Sequence, residues 1–522
     1  MPAAPAAAIG TRAPPMLLPG DAAAARVPAV PGRWLVGAQP RAPARRVAAR
    51  FGARPLARGL GIFSVRRASA RPLAAALRAG GLLRFAEPDV RARAAATPAE
   101  PLSGSTWWHD VVVDPSLTPP PVAPNSPELA LIDSQADLSH PEWAGSAFTS
   151  LGSGPPADLH GTATAAVAAA PVNGIGIAGI WPGMRAVNLP TDLSCSSIVQ
   201  LLSTAIQRRV ATINMSYGGN TECFSEDIAL QYAVASQIVL VAAAGNEFGE
   251  GNPLEFPASL PHVLTVASVG RDLKSSFFSN ANAAIDVAAP GEEIVTAVPQ
   301  VFDTEDGSQD GYAALDGTSF SAPMVSAAAT WLRAARPDLR AGQVAEVLRR
   351  TARDLDRPGW DPNTGFGLID LKAALAGAAP PVDPLEPNDE IYWVDGTAFN
   401  KPDKPIFRGA THRVSFSATL DQYEDPIDVY RVTLPRRSRL RISAKPRYGD
   451  ADLAVYGRRA RSVQAGRHRL AGSHHDGRRT DAVEVVNRSR RAHTVYVETY
   501  IDASVRNLVA GYRLTVTRLA FR

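Results

Sequence analysis

Residues 315–324 read LDGTSFSAPM, and three residues later the alanine-rich stretch AAATWLRAARP occupies 327–337. A glycine followed by two small hydroxyl residues at the head of a helix carries two readings. Thr318 and Ser319 act as caps, their oxygens satisfying the unpaired N–H groups of the first turn. Alternatively, Ser319 is a nucleophile, seated where those N–H groups and the positive end of the helix dipole favour an oxyanion. The triplet alone favours the cap, so the decision rests on what else the chain carries.

At 522 residues and 45% hydrophobic content the chain is globular and long enough for two to four domains. It has no run of eighteen apolar residues, so no membrane span is expected. The opening stretch, MPAAPAAAIGTRAPPMLLPGDAAAARVPAV, lacks a basic region followed by a continuous apolar one, and no signal peptide is read there. The sequence pI of about 9.1 invites a nucleic-acid reading. The distribution of charge excludes it: residues 1–96 carry +13, residues 97–380 carry −17 and residues 381–522 carry +8. The acidic middle would repel a phosphate backbone. The two cysteines, Cys195 and Cys223, are too few for a disulfide scaffold or a zinc site, although one bridge remains open to them.

Hydrophobic patterning divides the chain into five parts. Residues 1–30 read as a flexible segment. Residues 31–96 read as a small α+β unit, with strands at RWLVGA, LGIFSVRR and LLRFAEPDVRAR and helices at APARRVAARFG and ARPLAAALRAGG. In 97–378, near-continuous apolar strands (ELALID, RAVNL, TINMSYGG, IVLVAAAGN, VLTVASVG) alternate with helices, which predicts an α/β, doubly wound parallel sheet. Function in such sheets gathers at the strand C-terminal ends, where Asp133, Ser216 and Asn246 fall. A Pro-rich linker, 379–388, follows. Residues 389–522 show only short alternating strands, from HRVSFSATL to GYRLTVTRL, and predict an antiparallel β-sandwich.

Three motifs decide the opening question: LALIDSQADLSHPEW, DLHGTATAAVAAAPVNGIGIAGIWP and LDGTSFSAPM, with VAAAGNE between the last two. With them, residues 105–378 resemble the subtilisin-like serine proteases, whose triad runs in the order Asp, His, Ser. The resemblance implies a serine endopeptidase with Ser319 as nucleophile, His160 as general base and acid, and Asp133 holding the imidazole. It makes Asn246 an oxyanion donor. Ser216, Tyr217, Gly218, Gly219, Ala244, Gly245 and Glu255 become substrate-binding residues. The family often has a second His at the positions of Thr164 or Met324, which puts substrate shaping in question here. No cofactor is expected for the chemistry.

Further expectations come from the same resemblance. Residues 31–96 are similar to a subtilase propeptide, a folding chaperone and intramolecular inhibitor; the +13 against −17 charge balance would help steer the pair together. The tail resembles a bacterial pre-peptidase C-terminal domain through EPNDE, DPIDVYRVTL and GDADLAVYG, with Asp425, Asp428, Asp450 and Asp452 at strand ends or on calcium. A structural calcium is implied at APVNGIGI, with Glu142, Pro171, Asn173, Ile175 and Ile177 as ligands. Cys195 and Cys223 fall in loops past neighbouring strands and are expected to bond. Glu255 falls at the base of the S1 pocket, with Glu247 at its rim, which implies cleavage after Arg or Lys. Arg91 and Arg93 are then candidate self-cleavage points, with Ala95 or Ala96 serving a small pocket. The protein is expected to be a secreted monomer acting on peptides, made as a zymogen. A catalytically silent peptide-binding protein and an adhesin are the competing classes; the intact quartet speaks against the first, and no repeated ligand motif supports the second.

Overall fold

The computed structural model describes residues 29–39, 42–57, 59–90, 93–94, 106–304, 309–381, 383, 385–399, 401–422, 425–501 and 509–521. The expected flexible segment lies almost wholly outside the described residues, as do Arg91, Ala95 and Ala96. No helix among the described residues is long and apolar enough to cross a membrane.

Seven parallel strands form the central sheet, in the order Val287–Pro290, Val263–Val269, Val239–Ala243, Thr212–Met215, Leu129–Asp133, Ala186–Pro190, Phe148–Ser150. Successive side chains of a strand face opposite ways. Leu129 and Leu131 therefore enter one core with the helices His160–Ala169 and Thr318–Ala335, while Ala130 and Ile132 enter the other with Cys195–Arg208 and Phe224–Ala235. All ten residues of His160–Ala169 are buried, as an alanine-rich helix without a polar face requires. From Leu129–Asp133 the chain makes the two strands on one side, then returns to Thr212–Met215 on the other. Asp133 thus stands where the strand order reverses, the point at which such sheets open a crevice beyond their strand ends. Short edge elements escaped the sequence reading: Phe148–Ser150, Val287–Pro290, and the hairpin Ile294–Ala297 with Tyr312–Leu315.

The N-terminal unit is a four-stranded antiparallel sheet, Arg54–Ala57, Ile62–Arg66, Ala29–Ala38, Leu83–Val90, with helices Ala42–Arg50 and Arg67–Ala79. The strand Arg54–Ala57 was not foreseen because RPLA carries a proline and a charge; both are tolerated at a sheet edge. Trp34, Val36 and Phe63 pack against the unit's own helices, whereas Leu35, Leu60, Ile62 and Phe85 join the core built around Cys195–Arg208 and Phe224–Ala235. The sheet is therefore covered on both faces.

The C-terminal strands form two four-stranded antiparallel sheets, Arg413–Asp421, Val509–Leu519, Ser438–Tyr448, Asp481–Asn487 and Ile427–Leu434, His493–Tyr500, Asp452–Gly457, Arg469–Ser473. Their inward residues make one core with Phe407 at its edge. The stretch read as a linker does not stay exposed at its end: Asn388, Asp389 and Glu390 are buried, and a short helix, Ile391–Val394, follows.

Cys195 and Cys223 form a disulfide, their Cα atoms 6.3 Å apart. They sit differently from the loops expected, since Cys195 is the first residue of one helix and Cys223 caps the next. The bridge closes a span of 28 residues. Replacing both cysteines by alanine is expected to lower the unfolding free energy by about 3 kcal/mol, read from urea midpoints at constant m-value.

Candidate active site

Asp133 ends its strand with its carboxylate buried. Its Oδ1 faces His160 Nδ1 at 2.7 Å and accepts the Ser134 N–H at 2.7 Å, while Oδ2 accepts the Thr164 hydroxyl at 2.9 Å. Thr164, marked in the sequence as a departure that shapes substrate, instead holds this carboxylate. His160 is the first residue of its helix, and its Nε2 is buried without a hydrogen bond among the described residues. Burial pulls the imidazole pKa down, but the charge and hydrogen bond of Asp133 outweigh it, and the net shift is upward.

Ser319 is buried in the first turn of Thr318–Ala335, its hydroxyl 3.4 Å from the Ser216 carbonyl oxygen. Gly317 enters that helix at φ 149°, a backbone angle that favours glycine. Asn246 Oδ1 accepts the Thr318 N–H at 3.0 Å and the Thr318 hydroxyl at 2.8 Å. With its oxygen turned to the helix start, the carboxamide presents its N–H donors on the other side. Two buried asparagines that sequence reasoning missed hold these pieces. Asn188 takes the Ala136 N–H at 3.1 Å and donates to the Ser134 carbonyl at 2.9 Å, fixing the turn after Asp133. Asn214 donates to Ser216 Oγ at 2.9 Å, and that hydroxyl donates to the Ser319 carbonyl at 2.8 Å. Their signal was present: each is the polar residue in an otherwise apolar strand, AVNLP and TINM.

Ser216–Gly219 and Ala244–Asn246 frame a slot. Gly219 and Phe256 exchange backbone hydrogen bonds of 3.1 and 2.9 Å, which brings Glu255 beneath it. A Cβ on Gly218 would lie 2.6 Å from Glu255 Oε2, and one on Gly245 would lie 2.6 Å from Glu255 Cγ, so both glycines are required by the carboxylate between them. Glu255 is 2% exposed. Glu247 does not line the rim as expected: it is buried and its carboxylate turns inward to the Asn246 N–H at 2.8 Å.

The N-terminal unit reaches this slot. Arg93 and Ala94 pair antiparallel with Gly218 and Tyr217. Farther back, Glu87 accepts the N–H groups of Phe224 (3.0 Å) and Ser225 (2.9 Å), and Asp89 accepts the Ser196 N–H at 3.0 Å. Each acid thus sits on the positive end of a helix. The interface is led by these two acids rather than by the arginines that the charge count singled out.

The loop expected to hold calcium brings its residues together but not as a cage. Asn173 Oδ1 accepts the Ile175 N–H at 2.9 Å, and its Nδ2 donates to the Glu142 and Ala144 carbonyls at 3.0 and 3.2 Å. Glu142 Oε2 accepts the Ile177 N–H at 3.3 Å and the Tyr312 hydroxyl at 2.5 Å. Donors converge where a hard cation needs six to eight oxygens. The set does not fit the ion, and Tyr312, which the sequence did not suggest, closes the loop.

A family model described as the subtilase family of S8 peptidases matches residues 126–367. Subtilisin of Bacillus pumilus is 32% identical over 259 residues, covering 47% of this chain and 90% of that protein. Subtilisin E of Bacillus subtilis is also 32% identical over 259 residues, and there the match spans 65% of the relative's length. A crystal structure of fervidolysin from Fervidobacterium pennivorans, described as a keratinolytic enzyme related to subtilisin, superposes with a TM-score of 0.58 at 17% identity over 88% of both chains. The chain belongs to the subtilase family.

The raised His160 pKa has a direct reading. Its imidazole is expected to titrate above the ordinary 6.5, and Asp133→Asn to bring it down, followed by NMR of the ring protons across pH 4–9.

Proposed function

We propose that the protein is a serine endopeptidase made as a self-processing zymogen and exported. The observation that carries the reading is the bonded Asp133–His160 pair with Nε2 bare, placed at the same strand ends as Ser319 and Asn246. His160 takes the Ser319 proton as the hydroxyl attacks the scissile carbonyl, and returns it to the leaving amine. Asp133 keeps Nδ1 protonated and stabilises the imidazolium. The Asn246 amide and the Ser319 backbone N–H stabilise the oxyanion. Substrate adds a strand along Tyr217–Gly218, as Arg93–Ala94 does.

The N-terminal unit is then a propeptide whose end occupies the substrate strand. Arg93 pairs with Gly218, two residues from Ser216. One further step along the same register assigns Ala95 to Ser216, so the bond after Ala95 is the expected first cut, rather than one after Arg93. In an intramolecular cut, enforced proximity replaces side-chain selection. For other substrates, the buried Glu255 between Gly218 and Gly245 supports a preference for Arg or Lys at P1.

Purified protein and its Ser319→Ala variant are to be incubated and their N-termini read by mass spectrometry. Self-cleavage is expected in the wild type alone; an intact wild-type chain would support a silent peptide binder instead. On a chromogenic peptide, Asn246→Ala is expected to lower kcat by roughly 10²–10³ with little change in KM. A peptide library should show Arg or Lys at P1 and Glu255→Gly should erode that preference; a preference for Phe or Leu refutes the pocket assignment.

A further inference from the structure

Between the α/β unit and the sandwich, carboxylates crowd together. One oxygen from each of Asp383, Glu386 and Asp425 lies within 4.8 Å of the other two, and His262, Glu386 and Asp389 form a second such group. Oxygens on opposite sides of a calcium ion, each about 2.4 Å from it, stand about 4.8 Å apart. The guanidinium at this seam, Arg349, is already committed to Asp286, Glu346 and Asp421. His262 approaches Asp389 at 3.3 Å and Glu386 at 3.6 Å, one imidazole for two acids.

A second observation is independent of the charge count. Asp383 Oδ1, Glu386 Oε1, Asp389 Oδ2 and Asp425 Oδ1 are buried and accept no hydrogen bond among the described residues. Asp389 is only 7% exposed. Asn388, which is no acid, is wholly buried; its Nδ2 donates to Asp428 Oδ1 at 2.7 Å and its backbone N–H to Glu386 Oε2 at 3.3 Å. Its own Oδ1 has no donor. Buried oxygens without donors cost free energy unless something positive meets them. A cavity of about 180 Å³ bordered by His262, Asp383, Glu386 and Asp425 leaves room for it.

We propose that this seam binds a divalent, oxygen-seeking cation of the calcium type, held by Asp383, Glu386, Asp425 and the Asn388 side-chain carbonyl, with Asp389 beside it. The donor set is oxygen with one imidazole at its margin, which suits calcium better than zinc. The ligands come from the connecting stretch and the sandwich, and His262 from the α/β unit, so the ion clasps the two together.

The full chain carrying Ser319→Ala, stripped with EGTA, is titrated with calcium chloride by calorimetry and melted with and without the ion. Calcium is expected to bind at this site and to raise the melting temperature by about 3–8 °C. The added pair Glu386→Gln and Asp425→Asn should abolish that shift, and in EGTA the substituted chain should melt above its parent, because the repulsion is gone. Should that chain fail to fold, limited proteolysis of 379–390 in the parent decides: cleavage must accelerate in EGTA. No calcium binding by the parent, a shift that survives both substitutions, or proteolysis indifferent to EGTA would each overturn the proposal.

Discussion

A carboxylate buried at the end of a sheet strand needs donors, and the architecture around Asp133 supplies them. The His160 ring, the Thr164 hydroxyl and the Ser134 N–H all point at it within 2.9 Å. Two of the three come from one turn of one helix, so the helix cannot rotate or slide without stranding the charge. That helix packs against Thr318–Ala335 across a floor of alanines, which in turn sets Ser319. Position is transmitted by packing and is locked by a hydrogen-bond demand that water cannot meet.

What the sequence made legible follows from which constraints are local. Apolar strands such as LALID and VLVAA, and the alanine helices, announce themselves by composition, and the order of Asp133, His160, Asn246 and Ser319 needs no three-dimensional knowledge once the family motifs are seen. Edge elements were missed because pairing on one side leaves a strand free to carry polar or proline-bearing sequence, as in RPLA. Long-range polar partners were missed for a different reason: that Thr318 answers Asn246 across 72 positions, or Tyr312 answers Glu142 across 170, is written in no local pattern. Glu247 shows the converse error. Its place beside Asn246 in sequence suggested a rim, while Asn280 and its own neighbour's N–H draw it inward.

The same sheet serves as surface and as core. Ala130, Ile132, Leu240 and Ala242 face the helices Cys195–Arg208 and Phe224–Ala235, and the outer side of those helices is where the N-terminal unit adds Leu35, Ile62 and Phe85. Apolar area supplies the attraction, and the two acids supply direction, because a helix start accepts an anion along a narrow set of approaches.

The disulfide joins the two helix starts on which those acids sit. Glu87 lies within 4.8 Å of both Cys195 and Cys223, and both cysteines are almost wholly covered. With the N-terminal unit in place, an incoming thiolate has no path to either sulfur. Departure of that unit strips the cover from one face of the bridge, turning a chemically silent bond into one that solvent thiols can attack. The reactivity of a single bond thus keeps a record of whether the guest is still seated.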